Sequence, residues 1–422
     1  MPSPLAPRRA RVAAALQLTN EVLLIGAGEA IPLPENSDQS YPFITHSEHA
    51  YLAENACQSA VVAFDPLSGE WIDFVPHVSE GERVWEGREQ TPGRLLSDLD
   101  SWMGARPGRP VIMLGAPLRT IHHSESLTAR ARERLTHARR VKEDSEVTLM
   151  RKAAQATAAG YARLREILVP GITERALQIE LEAEFFRNGA NQTGFSSIVG
   201  TGPNSAVLHF SPGERRVQAG DFVLVDSGAQ VGRYTADVTR TFCAGRPEPF
   251  KRDLHAVVLA AQQTAITRCR PGAEWKDIHL ACAMDLVSGL RELGIFRGNP
   301  EDLVEQEAHT LFFPHGLGHM VGLGVRDASG VEPGRARDPR PCLRTLRMDL
   351  PLTEGYLVTV EPGLYFIPAL LQDPVRRSRY ADVVDWSLVD RHLGVGGVRV
   401  EDDVLVTAAG PEVLTGMIPH GL

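Results

Sequence analysis

Two short stretches decide how this chain reads: Phe222-Val223-Leu224-Val225-Asp226 and, soon after it, Asp237-Val238-Thr239-Arg240-Thr241-Phe242. The first is an apolar run of strand length closed by a carboxylate, and the second opens on one. Val231-Gly232-Arg233 between them reads as the turn of a hairpin that brings Asp237 back beside Asp226. An ionised carboxylate on a buried strand costs several kcal/mol unless a partner compensates it. The anomaly then recurs: Glu361 closes Leu357-Val358-Thr359-Val360, and Glu401 interrupts an apolar strand over 398–406.

Four carboxylates on strands call for positive charge. Two divalent cations match them in charge and leave coordination positions for solvent and one neutral imidazole. The imidazole is sought in Pro314-His315-Gly316-Leu317-Gly318-His319. A helical zinc motif would need both histidines on one helix with a Glu after the first, but Gly316 stands there and Gly318 weakens a helix. One histidine is therefore expected to ligate and the other to work nearby. Singly, each residue has a plainer explanation: a turn Asp, a hydrogen-bonded His, a solvated strand end at Glu401-Asp402-Asp403. The agreement of five positions in separate segments points to a metal centre.

Working outward, 422 residues exceed one ordinary core and predict two domains. Alternating apolar runs and helical stretches mark 1–135 as a smaller α/β accessory domain, 136–144 as a linker, and 145–422 as the larger domain. In the latter, a helix, a Pro-Gly stop and a second helix occur twice, at Pro170-Gly171 and Pro271-Gly272, each followed by strands. This implies a duplicated α+β unit. The net charge of -9 argues against nucleic acid as a partner. The five cysteines form no C-x-x-C pair, and the apolar run after Arg8, Arg9 and Arg11 stops at Gln17, so a reducing cytoplasm and no membrane span are expected.

Five stretches resemble the pita-bread metallopeptidases, specifically the branch of prolidase and aminopeptidase P. They are Val225-Asp226-Ser227-Gly228-Ala229, the run from Tyr234 to Phe242, Phe313-Pro314-His315-Gly316-Leu317-Gly318-His319, the run from Val360 to Phe366, and the run from Gly397 to Asp403. Tyr41-Pro42-Phe43 and Tyr51-Leu52 resemble the accessory domain of the same branch. The resemblance implies a pita-bread (creatinase/aminopeptidase-like) catalytic domain, two divalent cations, with Mn ahead of Co or Zn, and a homodimer. It implies that Asp226 binds one cation, that Asp237 and Glu401 bridge both, and that His319 and Glu361 complete the set. Glu361 would also handle protons, His209 and His315 would steady substrate, and Arg399 would lie near it.

The implied activity is hydrolysis of Xaa-Pro bonds in dipeptides or short peptides. A dipeptidase (prolidase) is expected first, an aminopeptidase P acting on longer peptides second. A non-catalytic peptide-binding module would require missing ligands, and a creatinase-like amidinohydrolase would lack this metal set. The chain departs from the branch at Val325-Arg326-Asp327, where a histidine is usual before the Asp. Arginine cannot titrate, but it can grip a carboxylate bidentately, which would favour dipeptides ending in proline. The long connection 367–392, with Arg376, Arg377, Arg379 and Tyr380, is expected to be a substrate-binding lid.

Overall fold

The computed structural model describes residues 5–35, 38–344 and 346–422, and the chain divides into two compact units, Met1–Arg139 and Arg140–Leu422. In the first, five strands form one sheet in the order Arg94–Leu95, Glu70–Val75, Val61–Asp65, Val22–Gly26, Val111–Gly115. Val22–Gly26 pairs antiparallel with Val61–Asp65 and parallel with Val111–Gly115. These are the apolar runs of the sequence, and they are buried because both faces of the sheet centre are covered. The helix Glu125–Arg140 runs through residues 136–140 of the expected linker, since its Ala, Arg and Glu residues favour helix.

The second unit repeats one design. The helices Asp144–Ile167 and Glu174–Arg187 are followed by the sheet Ile198–Thr201, Phe222–Ser227, Val238–Cys243. The helices Pro249–Arg268 and Trp275–Glu292 are followed by the sheet Leu357–Val360, Asp402–Thr407, Gly410–Val413. Both helix pairs turn at a glycine with left-handed backbone, Gly171 at φ 99° and Gly272 at φ 84°. The two halves join where the Glu401 N–H donates to the Thr239 carbonyl at 3.0 Å. This junction corrects the expectation of one strand over 398–406. Gly397–Arg399 pairs with Gly363–Tyr365, Asp402–Thr407 pairs with Leu357–Val360, and the chain changes partner at Glu401.

Two further details place the site. The hairpin expected between Asp226 and Asp237 forms, with Thr239 directly opposite Asp226. Gly228 permits its closing approach, because a Cβ there would lie 1.7 Å from the Ala236 carbonyl oxygen. The connection 367–392 is not an open lid: it folds into the short helices Pro368–Leu371, Pro374–Arg379 and Trp386–Arg391, with Leu371, Tyr380 and Val389 buried. Among the described residues, no helix is long and apolar enough to cross a membrane.

Among the described residues, His279 and His309 are buried without hydrogen-bond partners on either ring nitrogen. Burial pushes them down to about 3 and about 4 respectively. In the unfolded chain both protonate near ~6.5. Between those limits the unfolded state binds more protons, so this pair makes stability fall as pH falls below ~6.5. Removing one imidazole, as in His279→Leu, is predicted to flatten the dependence by up to about 1.4 kcal/mol per pH unit below that point. Urea denaturation at pH 7 and pH 5 checks this; an unchanged slope contradicts it.

Candidate metal centre

Asp226, Asp237, His319, Glu361 and Glu401 converge on one cavity of about 480 Å³, with His209, His315, Arg326, Arg347 and Arg399 also on its walls. Asp226 lies within a strand, and Asp237, Glu361 and Glu401 lie beside strand ends. Asp226 and Asp237 come from the hairpin, and the Asp237 N–H is held by Asp403 Oδ2 at 3.1 Å. His319 lies on an extended segment, not a helix. The Thr359 N–H donates to the His319 carbonyl and the Glu361 N–H to the Leu317 carbonyl, both at 2.8 Å, so His319 and Glu361 are positioned together. Gly318 makes this contact possible, because a Cβ would lie 2.1 Å from the Thr359 carbonyl oxygen.

Ring nitrogens show which way His319 faces. Nδ1 lies 3.0 Å from the Met320 carbonyl, which can only accept, so Nδ1 carries the proton. Nε2 then presents its lone pair 3.4 Å from Asp237 Oδ2 and 3.8 Å from Glu361 Oε1, the orientation of a metal-ligating imidazole. Potential ligand atoms of Asp237, His319 and Glu401 all lie within 4.8 Å of one another. Thr239 Oγ1 donates to Glu401 Oε2 at 2.6 Å. Arg399 donates to Asp226 Oδ2 at 2.5 Å and to the Tyr365 hydroxyl at 3.0 Å.

His315 is oriented by the same logic. Its Nδ1–H donates to the Gly316 carbonyl at 2.8 Å, and Nε2 accepts from the Tyr365 hydroxyl at 2.8 Å. Burial, assisted by the Arg399 charge, pushes His315 down to about 3, so it stays neutral. Burial and the charges of Arg326, Arg399 and Arg347 also push down His209. Tyr380 is not brought to this cavity. It is buried, its hydroxyl donates to the Gln306 carbonyl at 2.9 Å, and it lines a neighbouring cavity of about 590 Å³. Thr239, Tyr365 and Asp403, which hold site residues in place, and Arg347, on the cavity wall, have roles that motif reading did not assign to them.

The carboxylates carry the imprint of missing positive charge. Burial, more than the neighbouring Asp237 and Glu361, raises Asp226 to about 7 against the pull of Arg399. Burial likewise raises Glu361, and raises Glu401 well above the usual range with repulsion from Asp237, Glu361 and Asp226. Among the described residues, Asp226 Oδ1 is buried with no hydrogen-bond partner. Asp402 and Asp403 lie buried behind these carboxylates, beside the buried guanidiniums of Arg240 and Arg399, while Arg326 and Arg347 stand on the cavity wall. The donor set, oxygens with one imidazole, suits divalent cations.

The comparisons with known proteins agree. Residues 148–408 match the description of metallopeptidase family M24. The chain belongs to that family. A probable Xaa-Pro aminopeptidase of Emericella nidulans is 30% identical over 439 residues, covering 99% of this chain and 90% of its own. Among solved structures, Pseudomonas aeruginosa aminopeptidase PepP superposes with a TM-score of 0.81 at 26% identity, covering 99% of this chain and 96% of its own. Escherichia coli aminopeptidase P with the inhibitor Pro-Leu gives a TM-score of 0.81 at 25% identity, covering 98% and 95%. The α+β pita-bread fold and a metallopeptidase follow from this membership.

Burial that raises Asp226, Glu361 and Glu401 favours their protonated forms, and a divalent ion binding there displaces those protons. Calorimetric titration with Mn²⁺ at pH 7, in two buffers of different ionisation enthalpy, is predicted to show release of at least about one proton per chain, with affinity rising with pH. Binding heats that do not depend on the buffer contradict this.

Proposed function

We propose that this chain is a two-cation Xaa-Pro aminopeptidase, releasing the first residue of peptides whose second residue is proline. The observation that carries the reading is the convergence of four carboxylates and the Nε2 face of His319 on one cavity, in a chain whose relatives are named Xaa-Pro aminopeptidase. Asp226, Asp237, His319, Glu361 and Glu401 would hold the cations. Bound there, two divalent ions supply a polarised scissile carbonyl and a water acidified enough to attack at neutral pH.

The chain's own groups do the rest. Glu361, on the cavity wall beside His319, takes the proton of the attacking water and delivers it to the prolyl nitrogen, which has no proton of its own in the peptide. His209, held neutral at pH 7, donates to the oxygen on which charge develops. His315, locked by Gly316 and Tyr365, forms a rigid neutral wall 3.9 Å from Glu361. Arg399 holds one oxygen of Asp226 and leaves the other for a cation. Mn²⁺ is the first ion to test, with Co²⁺ and Zn²⁺ beside it; a homodimer, which the family resemblance implies, and a cytoplasmic location, which the scattered cysteines suggest, belong to the same reading.

A second reading, a dipeptidase, is favoured by one feature. Arg326 lines the cavity, exposed, together with Arg347, and among the described residues neither guanidinium makes a side-chain hydrogen bond or an ion pair. Two cationic forks at the wall suit the free carboxylate of a short peptide.

Chelated protein reconstituted with Mn²⁺ is predicted to cleave Ala-Pro-Ala and not Ala-Ala-Ala, and Glu361→Gln to lose roughly 10²–10⁴-fold in kcat. Cleavage confined to Ala-Pro would establish the dipeptidase, and silence on both with metal bound would overturn the peptidase reading. Arg326→His is predicted to change the ratio of Ala-Pro to Ala-Pro-Ala hydrolysis; an unchanged ratio removes Arg326 from length selection.

A further inference from the structure

Arg326 sits on a segment that no regular element holds. Leaving His319, the chain passes through Gly322 and Gly324, returns by Arg326 and Asp327, and closes when the Asp327 N–H donates to the Met320 carbonyl at 3.0 Å. The Asp327 side chain organises the turn from inside. Oδ2 accepts the Leu323 N–H at 3.1 Å and Oδ1 accepts the Ala328 N–H at 2.8 Å. Its charge is met by Lys142 Nζ at 2.8 Å, and the two side chains are 0% and 1% exposed.

Lys142 is itself fixed. Its N–H donates to the Gly355 carbonyl at 2.8 Å, and Arg140 Nε, two residues earlier, donates to the Ala328 carbonyl at 3.2 Å. Gly322, at φ 157°, makes room for the pair: a Cβ there would lie 2.6 Å from Asp327 Oδ2 and 2.9 Å from Lys142 Cε. An isolated buried ion pair is a poor source of stability, because desolvation consumes most of the attraction and apolar residues of similar volume often do as well. Its better-attested use is to select one conformation. Here the conformation selected turns Asp327 inward and leaves its neighbour Arg326 on the cavity wall.

We propose that the buried Lys142–Asp327 pair is a positioning device that fixes Arg326 at the cavity and thereby sets recognition of a peptide's free carboxylate. The inference rests on the role of Arg326 given in the preceding subsection. Lys142 and Asp327 touch no substrate; they act through Arg326.

The test is steady-state kinetics of the metal-loaded protein on Ala-Pro-Ala and on its C-terminal amide, peptides of one length that differ in charge. Wild type is expected to favour the acid, and Arg326→Ala to reduce that preference about tenfold, equivalent to ~1.4 kcal/mol. The apolar double variant Lys142→Met with Asp327→Leu is expected to lose a comparable part, through KM for the acid and not through kcat. If Arg326→Ala alters the preference while the folded double variant keeps the wild-type ratio, the positioning role is overturned. If Arg326→Ala itself leaves the ratio unchanged, the underlying reading of Arg326 fails and the inference with it. Should the double variant not fold, Asp327→Asn, which keeps shape and an acceptor oxygen, is judged by the same ratio.

Discussion

Uncompensated negative charge is the constraint on which the rest of this structure depends. Four carboxylates reach one cavity, burial lifts Asp226, Glu361 and Glu401 above their ordinary range, and an oxygen of Asp226 has no hydrogen-bond partner among the described residues. A fold does not keep such an arrangement for stability, since neutral residues of like volume would be no worse. The strain is relieved when cations enter, so the site spends folding free energy on preorganised ligands.

Around the carboxylates the fold supplies orientation. Arg240 is fully buried and donates to the Glu401 carbonyl at 2.6 Å, to Asp402 Oδ1 at 2.7 Å and to the Ile418 carbonyl at 3.0 Å, joining both half-sheets and the chain's final turn. Gln262 and Thr415 satisfy Asp402 further, so that this carboxylate is structural and the adjacent Glu401 alone faces the cavity. Arg399, Thr239 and Tyr365 form the corresponding frame on the other side, ending at the fixed tautomer of His315. Arg240 thus neutralises Asp402, which ties the strands together, while Arg399 takes one oxygen of Asp226 on the cavity side.

Much of this was legible in the sequence because it breaks a local rule. A carboxylate closing an apolar strand is conspicuous, so Asp226, Glu361 and Glu401 could be found one at a time, and the Gly-rich hairpin tied Asp237 to Asp226. The duplicated helix pairs were readable from their Pro-Gly stops. What escaped depends on contacts distant in sequence. The break at Glu401 arises from its bond to Thr239, some 160 residues earlier, and the burial of Tyr380 from its bond to Gln306. Arg347 carries no local signature, and Lys142 lay in what read as linker, although its side chain is the more buried half of an internal ion pair.

Where cations bind decides whether this is a two-cation centre. Crystals of the protein grown with Mn²⁺, with diffraction collected at the manganese absorption edge, test it directly. Two anomalous peaks per chain are predicted, both among Asp226, Asp237, His319, Glu361 and Glu401, with the unpartnered oxygen of Asp226 on one of them. A single peak, or peaks away from these five side chains, would contradict the two-cation centre.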